Sequence, residues 1–225
     1  MDKIDNNSIL TEQQKILLKQ FIVWPQASVF YLTGGTALSA FYLHHRLSED
    51  LDFFTEGNVE AESILTFLRS ISKVRRLEME RKFERKTFLI GYLGGDQLRA
   101  ELTKYSFKTI HPFKMVDGIQ VDSQGDILVN KLMALTDRKD IKDYVDIYFI
   151  LEESPELSMD KMIEKAEHKF GIRGLTYILQ GRFLECPEKG VELLNMKKDC
   201  QGKEVAAFFK KLGRRLVRKS IETEK

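Results

Sequence analysis

From Leu10 to Phe21 apolar residues recur at helical spacing, Ile16, Leu17 and Phe21 among them, with Thr11 placed to cap the first turn. Ser28 to Thr33 switches to a short unbroken apolar run, Val29-Phe30-Tyr31-Leu32, the pattern of a buried strand. Gly34-Gly35 breaks the run, and Thr36 to His45 returns to helical periodicity through Ala37, Leu38, Ala40, Phe41 and Leu43. The opening unit is therefore strand, glycine turn, helix. Leu51 to Phe54 reads as a second short strand, and Glu60 to Ser72 as a helix with Ile64, Leu65, Leu68 and Ile71 on one side. Strands follow around Leu77 to Phe83, Thr87 to Leu93 and Leu98 to Tyr105. Gly94-Gly95-Asp96 marks a hairpin turn between the last two. Ile119 to Val121 fits one more short strand.

After Asp122 the period changes for good. Asp126 to Leu135, Ile141 to Leu151, Met159 to Phe170 and Val205 to Arg218 all read as helices. The expected class is α+β: a mixed sheet with flanking helices over residues 1–123, then a helical half over residues 124–225. No internal repeat or low-complexity segment interrupts this plan.

Composition changes the picture little. The chain has 225 residues, 43% hydrophobic and 31% charged, which is ordinary for a globular protein with a real core. No apolar run reaches membrane-spanning length, which excludes a transmembrane helix of that kind. Met1 to Gln14 is polar and lacks the apolar centre of a secretory signal, so a cytoplasmic protein is expected. Cys186 and Cys200 stand far from any metal-ligand spacing, and two unpaired thiols are expected rather than a disulfide. A net charge of +2 does not by itself announce a nucleic-acid binder. The charge is uneven, however. Lys203, Lys210, Lys211, Arg214, Arg215, Arg218 and Lys219 are opposed within their stretch by Glu204 alone. Such a helix can meet phosphate backbones, or it can be a solvated face.

The candidate chemistry lies in the first half. Gly34-Gly35-Thr36 ends a strand and opens a helix, where glycine lets the backbone approach a ligand and the helix start offers unpaired amides to a phosphate. The same dipeptide also serves as a plain turn. Asp50-Leu51-Asp52 is an independent feature. Residues two apart on a strand share a face, so Asp50 and Asp52 project together while Leu51 points into the core. Two carboxylates so close repel unless a cation lies between them, and hard oxygen ligands suit Mg2+ or Mn2+. A surface D-x-D in a loop is the competing reading, which Phe53-Phe54, entering the core directly afterwards, makes less comfortable. Glu101 alternates onto one face with Arg99 and Thr103. A strand beside that of Asp50 would deliver it to the same site; an edge strand would leave it solvated.

In the helical half, Lys131 interrupts an otherwise apolar helix and wants an anion or a carboxylate. Asp143 and Asp146 are three apart on the next helix and share a face, and Asp146, between Val145 and Ile147, is placed to pair with Lys131. A structural ion pair and a phosphate contact are both compatible with this spacing.

Three separated stretches carry a resemblance. These are Gly34-Gly35-Thr36-Ala37-Leu38; His45-Arg46-Leu47-Ser48-Glu49-Asp50-Leu51-Asp52-Phe53-Phe54; and the pair of helices that holds Lys131 and then Asp137-Arg138-Lys139-Asp140-Ile141-Lys142-Asp143-Tyr144-Val145-Asp146-Ile147-Tyr148. Over about residues 28–151 the chain resembles the AbiEii/AbiGii toxin family, part of the DNA polymerase β-like nucleotidyltransferase superfamily. The resemblance implies a nucleotidyltransferase fold and a Mg2+-dependent (or Mn2+-dependent) transfer of a nucleotide from a nucleoside triphosphate to an acceptor hydroxyl. It assigns the triphosphate to Gly34, Gly35 and Thr36, the metals to Asp50, Asp52 and Glu101, the nucleotide phosphates to Lys131, and the acidic pair of the last motif to Asp143 and Asp146. Glu101 stands where the superfamily more often has aspartate. Arg46 and Ser48 would brace the loop that delivers Asp50, and His44 and His45, at a helix end, are expected as cap or core rather than ligands. The acceptor implied is tRNA, in a toxin–antitoxin or phage-defence system with an antitoxin encoded nearby. A small molecule such as an aminoglycoside, a protein hydroxyl, and a non-catalytic nucleotide-binding module are the rival readings; intact Asp50, Asp52 and Lys131 argue against the last.

Overall fold

The computed structural model describes residues 3–223. The chain divides into two compact units, Met1–Ser123 and Gln124–Lys225.

The first unit is built on a seven-stranded mixed sheet of order β3-β4-β5-β2-β1-β7-β6. It opens with α1 (Glu12–Val23), whose start is closed by a capping box: Thr11 accepts from the Gln14 backbone and the Gln14 side chain accepts from the Thr11 N–H. The apolar run before the glycines is shorter as a strand than its pattern suggests. Ala27–Val29 forms a 3-10 turn, and β1 keeps only Tyr31–Thr33. α2 begins directly at Gly34 (Gly34–Leu38) and continues as a π-helical turn, Ser39–Leu43, which His44 ends in the left-handed conformation. β2 (Leu51–Thr55), α3 (Ala61–Ser70) and the long antiparallel strands β3 (Val74–Lys82), β4 (Arg85–Tyr92) and β5 (Gln97–Lys104) follow. β6 (Lys114–Val116) and β7 (Ile119–Val121) close the unit as a hairpin turning on Asp117-Gly118, both with positive φ, the backbone that a two-residue hairpin turn requires.

Alternation divides the sheet into two faces. Leu51 and Phe53 of β2, Phe88 and Ile90 of β4, and Leu98, Ala100 and Leu102 of β5 are buried. Asp52, Thr87 and Glu101 belong to the opposite set of positions. On the buried side Phe53 stacks on Phe21 of α1 with ring centroids 4.2 Å apart, and Phe67 of α3 meets the edge of the same Phe21 ring at 6.0 Å. That cluster fixes the sheet against its helices, and so fixes the register of β2.

The second unit is helical: α4 (Gln124–Asp137), α5 (Ile141–Glu153), α6 (Met159–Phe170), α7 (Leu175–Leu184) and α8 (Gly202–Thr223). Its core includes Leu128, Leu132, Ile147, Ile150, Leu179, Phe183 and Phe209. α7 escapes a reading by period because it is apolar on both sides. Leu175, Leu179 and Phe183 are buried while Tyr177, Ile178 and Leu184 face water. Among the described residues no helix is long and apolar enough to cross a membrane.

Phe53→Ala should cost about 3–5 kcal/mol, as expected for deleting a buried aromatic from a packed cluster. A thermal melt that leaves the transition in place would show that the Phe21–Phe53 stack does not hold the sheet.

Candidate active site

Asp52 lies in the middle of the sheet, between two partners. Across the antiparallel pair it faces Thr33 of β1, and across the parallel pair it faces Glu101 of β5. Asp52 and Glu101 are thus register neighbours on one face, the relation that an adjacent strand was needed to supply. Asp50 precedes β2 by one residue and is two residues before Asp52, so the chain delivers both carboxylates from one short segment.

That segment is held from several directions. The Thr36 hydroxyl donates to the Asp50 backbone carbonyl. Gln14, wholly buried, donates its side-chain amide to the carbonyls of Ser48 at 2.8 Å and Glu49 at 3.1 Å. Arg46 is buried and donates to the Leu47 carbonyl at 3.0 Å. The glycines make these approaches possible. A β-carbon at Gly34, where φ is +74°, would lie 2.2 Å from Asp52 Oδ2. One at Gly35 would lie 2.6 Å from Arg46 Nη2 and 2.9 Å from Ser48 Oγ. Gly34-Gly35 is therefore more than a turn: its backbone runs directly against the carboxylate and the loop beside it.

Two residues join the site that the sequence pattern did not single out. Gln14 does, and the T-x-x-Q spacing that makes its capping box is its readable trace. Asp122 does as well. It is fully buried at the end of β7 and accepts from the Thr33 hydroxyl at 2.8 Å, placing a further carboxylate beside β1.

The donor set of Asp50, Asp52 and Glu101 is all hard oxygen and suits Mg2+ or Mn2+. Among the described residues no three His, Cys, Asp or Glu side chains are already gathered as a metal cage. Glu101 instead pairs with Arg99 at 2.5 Å and with Arg85 at 3.4 Å, and both arginines are substantially exposed.

In the second unit Lys131 is buried and bridges both predicted aspartates, Asp143 at 3.0 Å and Asp146 at 2.5 Å. Arg138 adds a contact to Asp143 at 2.8 Å. Burial pushes the Asp143 carboxyl up, but Lys131 and Arg138 together outweigh it and hold the group below the ordinary aspartate value of 3.8. A second buried pair, Lys169 with Asp126 at 3.0 Å, ties α6 to α4. Along α8, Lys210 pairs with Glu188, and Arg215 and Lys219 both pair with Asp160, while Lys211, Arg214 and Arg218 stay exposed. The thiols are free: burial raises Cys186 to about 12 and Cys200 to about 11, which leaves both protonated and poor nucleophiles. His44 is the cap of the π-helical turn and His45 is buried.

The mixed sheet thus sets Asp52 of β2 beside the Gly34-Gly35 turn, with Asp50 one residue before the strand and Glu101 on the neighbouring one. The family model described as Nucleotidyl transferase AbiEii toxin, Type IV TA system matches residues 16–214, and the chain belongs to that family. An uncharacterized protein of Aquifex aeolicus (strain VF5) is 32% identical over 146 residues, 63% of this chain and 67% of that protein. Two solved Helicobacter pylori structures share the fold. One, assigned as a nucleotidyltransferase, superposes with a TM-score of 0.62 at 18% identity, covering 96% of this chain and 99% of its own. The other, JHP933, superposes with 0.60 at 17% identity, covering 96% of each.

Lys131→Ala should destabilise the protein by about 3–5 kcal/mol, because it removes the cation that the buried Asp143 and Asp146 share. A melting shift of that size with unchanged nucleotide affinity would leave Lys131 as a structural tie alone. The Asp143 contribution has a definite sign. Its carboxyl is held low in the fold, so the stability it adds is complete above the ordinary aspartate value and drains away as pH falls through the lower folded value. Asp143→Asn should therefore flatten the acid side of a stability–pH curve; an unchanged acid limb would refute the pairing.

Proposed function

We propose that this nucleotidyltransferase moves a nucleotide from a nucleoside triphosphate to a hydroxyl of RNA, with tRNA the favoured acceptor, and that it acts as a cytoplasmic toxin with a cognate antitoxin. The observation that carries the transferase reading to particular residues is the contact of Gly34 with Asp52. It places backbone amides able to hold phosphates directly beside the carboxylate pair. The family to which the chain belongs supplies the toxin and antitoxin part of the reading.

Asp50, Asp52 and Glu101 would hold Mg2+ or Mn2+, which supplies charge neutralisation for the phosphates and a lowered pKa for the attacking hydroxyl. The residues of the chain do the rest. Gly34 and Gly35 would offer backbone amides to the triphosphate, and their lack of a β-carbon is what lets Asp52, Arg46 and Ser48 lie against them. Thr36, Gln14 and Arg46 hold the loop that carries Asp50, so the carboxylates need not reorganise when substrate arrives. Thr33 orients Asp122 behind them. Lys131, with Asp143 and Asp146, is proposed to serve the nucleotide phosphates through the lysine while the aspartates fix its position.

Incubation of the protein with each radiolabelled nucleoside triphosphate, Mg2+ and total cellular RNA tests this. Label in an RNA band of tRNA size is expected. Label on protein or on an added aminoglycoside, with none on RNA, would replace the acceptor. Asp50→Asn and Asp52→Asn should each lower transfer about a hundredfold or more, the loss of several kcal/mol of transition-state stabilisation, while leaving the fold intact. Full activity in either variant would remove the carboxylate pair from the mechanism.

A further inference from the structure

The face of the sheet that carries Asp52 and Glu101 does not stop at β5. Glu101 is in register with Thr87 of β4, and Thr87 with Glu80 of β3; one step further, Thr103 is in register with Arg85, and Arg85 with Lys82. Unlike the opposite face, this one is uncovered. Arg99 and the β3 positions Glu78, Glu80 and Lys82 are exposed, and a shallow cavity of about 320 Å³ lies over Glu78, Thr87, Leu89 and Arg99. Neighbouring strands are about 4.8 Å apart, so β4 runs roughly 10 Å from the strand of Asp52.

The β3–β4 hairpin at the end of this face turns on Phe83-Glu84. Phe83 is 94% exposed and has φ +49°. A phenylalanine in this position helps neither folding nor the turn: its ring buries nothing, and the left-handed backbone is strained for a bulky L-residue. Such an exposed, strained aromatic points to a binding role. Glu84 completes the turn beside it. Lys82 and Lys86 flank the tip, Lys86 on the opposite face and donating to the Phe83 carbonyl at 3.1 Å, and Lys82 on the open face, where Arg85 and Arg99 continue the row toward Glu101. Arg76 and Arg81 are already engaged, by Glu78 and Glu62.

We propose that this open face and its hairpin tip are the landing surface for the acceptor, a single-stranded nucleic-acid end. One base stacks on Phe83, and the backbone phosphates run past Lys82, Arg85 and Arg99 toward Asp50 and Asp52. Lysines and arginines interleaved with an exposed aromatic are the combination by which proteins hold single strands. The inference rests on the reading of RNA as acceptor and gives that acceptor a place.

Binding of a short, fluorescently labelled single-stranded RNA to the full chain, followed by anisotropy over a salt series, tests it alongside the label-transfer assay. Phe83→Gly is the decisive variant. Glycine adopts the positive φ freely, so the variant should melt at or above the parent temperature while its RNA affinity falls roughly five- to a hundredfold. Lys82→Glu should weaken binding and lower the salt slope by about 0.7 for each phosphate that is no longer neutralised. Parental affinity and slope in both variants would overturn the proposal, as would a clear fall in the melting temperature of Phe83→Gly, which would make the ring structural. If the parent labels RNA and the hairpin variants bind and label it equally, the landing surface alone falls. If the parent labels no RNA, the acceptor reading falls with it.

Discussion

The structure of the site depends on one close approach, that of the Gly34 backbone to the Asp52 carboxylate. Thr33 is in register with Asp52, so the residue after Thr33 turns directly over that side chain. Any β-carbon at Gly34 would lie 2.2 Å from the carboxylate oxygen, too close for two unbonded atoms, and the +74° φ is one that other residues adopt at a cost. Strand, turn and carboxylate are therefore specified together. Shifting β2 by one residue would send Asp52 into the core and Phe53 into the site. The Phe21–Phe53 stack opposes that slip, so an apolar contact on one face of the sheet enforces the polar arrangement on the other.

Much of this was legible in the sequence, for particular reasons. β2 announces itself because Leu51 and Phe53 alternate with Asp50 and Asp52, and the helix after the glycines because its apolar residues keep one period. The change of period after Asp122 coincides with the division between the two compact units. Less was legible where two signals compete. Ser28 and Val29 look like strand by residue type, but they form a 3-10 turn whose half-exposed Val29 packs little. α7 carries apolar residues on every side and two glycines near or within it, which blurs its period. The short hairpin of β6 and β7 had a readable Asp-Gly turn, yet only β7 stands out as an apolar run.

The site residues show the same division. Asp52 is on β2 and Asp50 one residue before it, so a single short segment brings both carboxylates. Glu101 is in register with Asp52 only because β5 lies parallel to β2, a pairing between distant segments that no local pattern dictates. Gln14 and Asp122 reach the site through contacts spanning tens of residues, Gln14 from a helix cap and Asp122 through the Thr33 hydroxyl. A sequence shows which side chains can do chemistry; long-range pairing decides which of them meet.

The acidic groups of the two units are held with very different strength, and the difference fits different tasks. Asp143 and Asp146 are buried against Lys131, and removing the shared cation from such a site costs about 3–5 kcal/mol. Glu101 is tied to Arg85 and Arg99, whose side chains are 39% and 46% exposed. Exposed pairs of that kind contribute about 0.2–1 kcal/mol each. On the proposed metal site, a cation held also by Asp50 and Asp52 would outweigh those pairs, and each arginine it displaced would keep its charge on the open face of the sheet. The weakness of the Glu101 pairs would then let the carboxylate turn toward the cation at small cost, and the same movement would free positive charge where a polyanionic acceptor would approach.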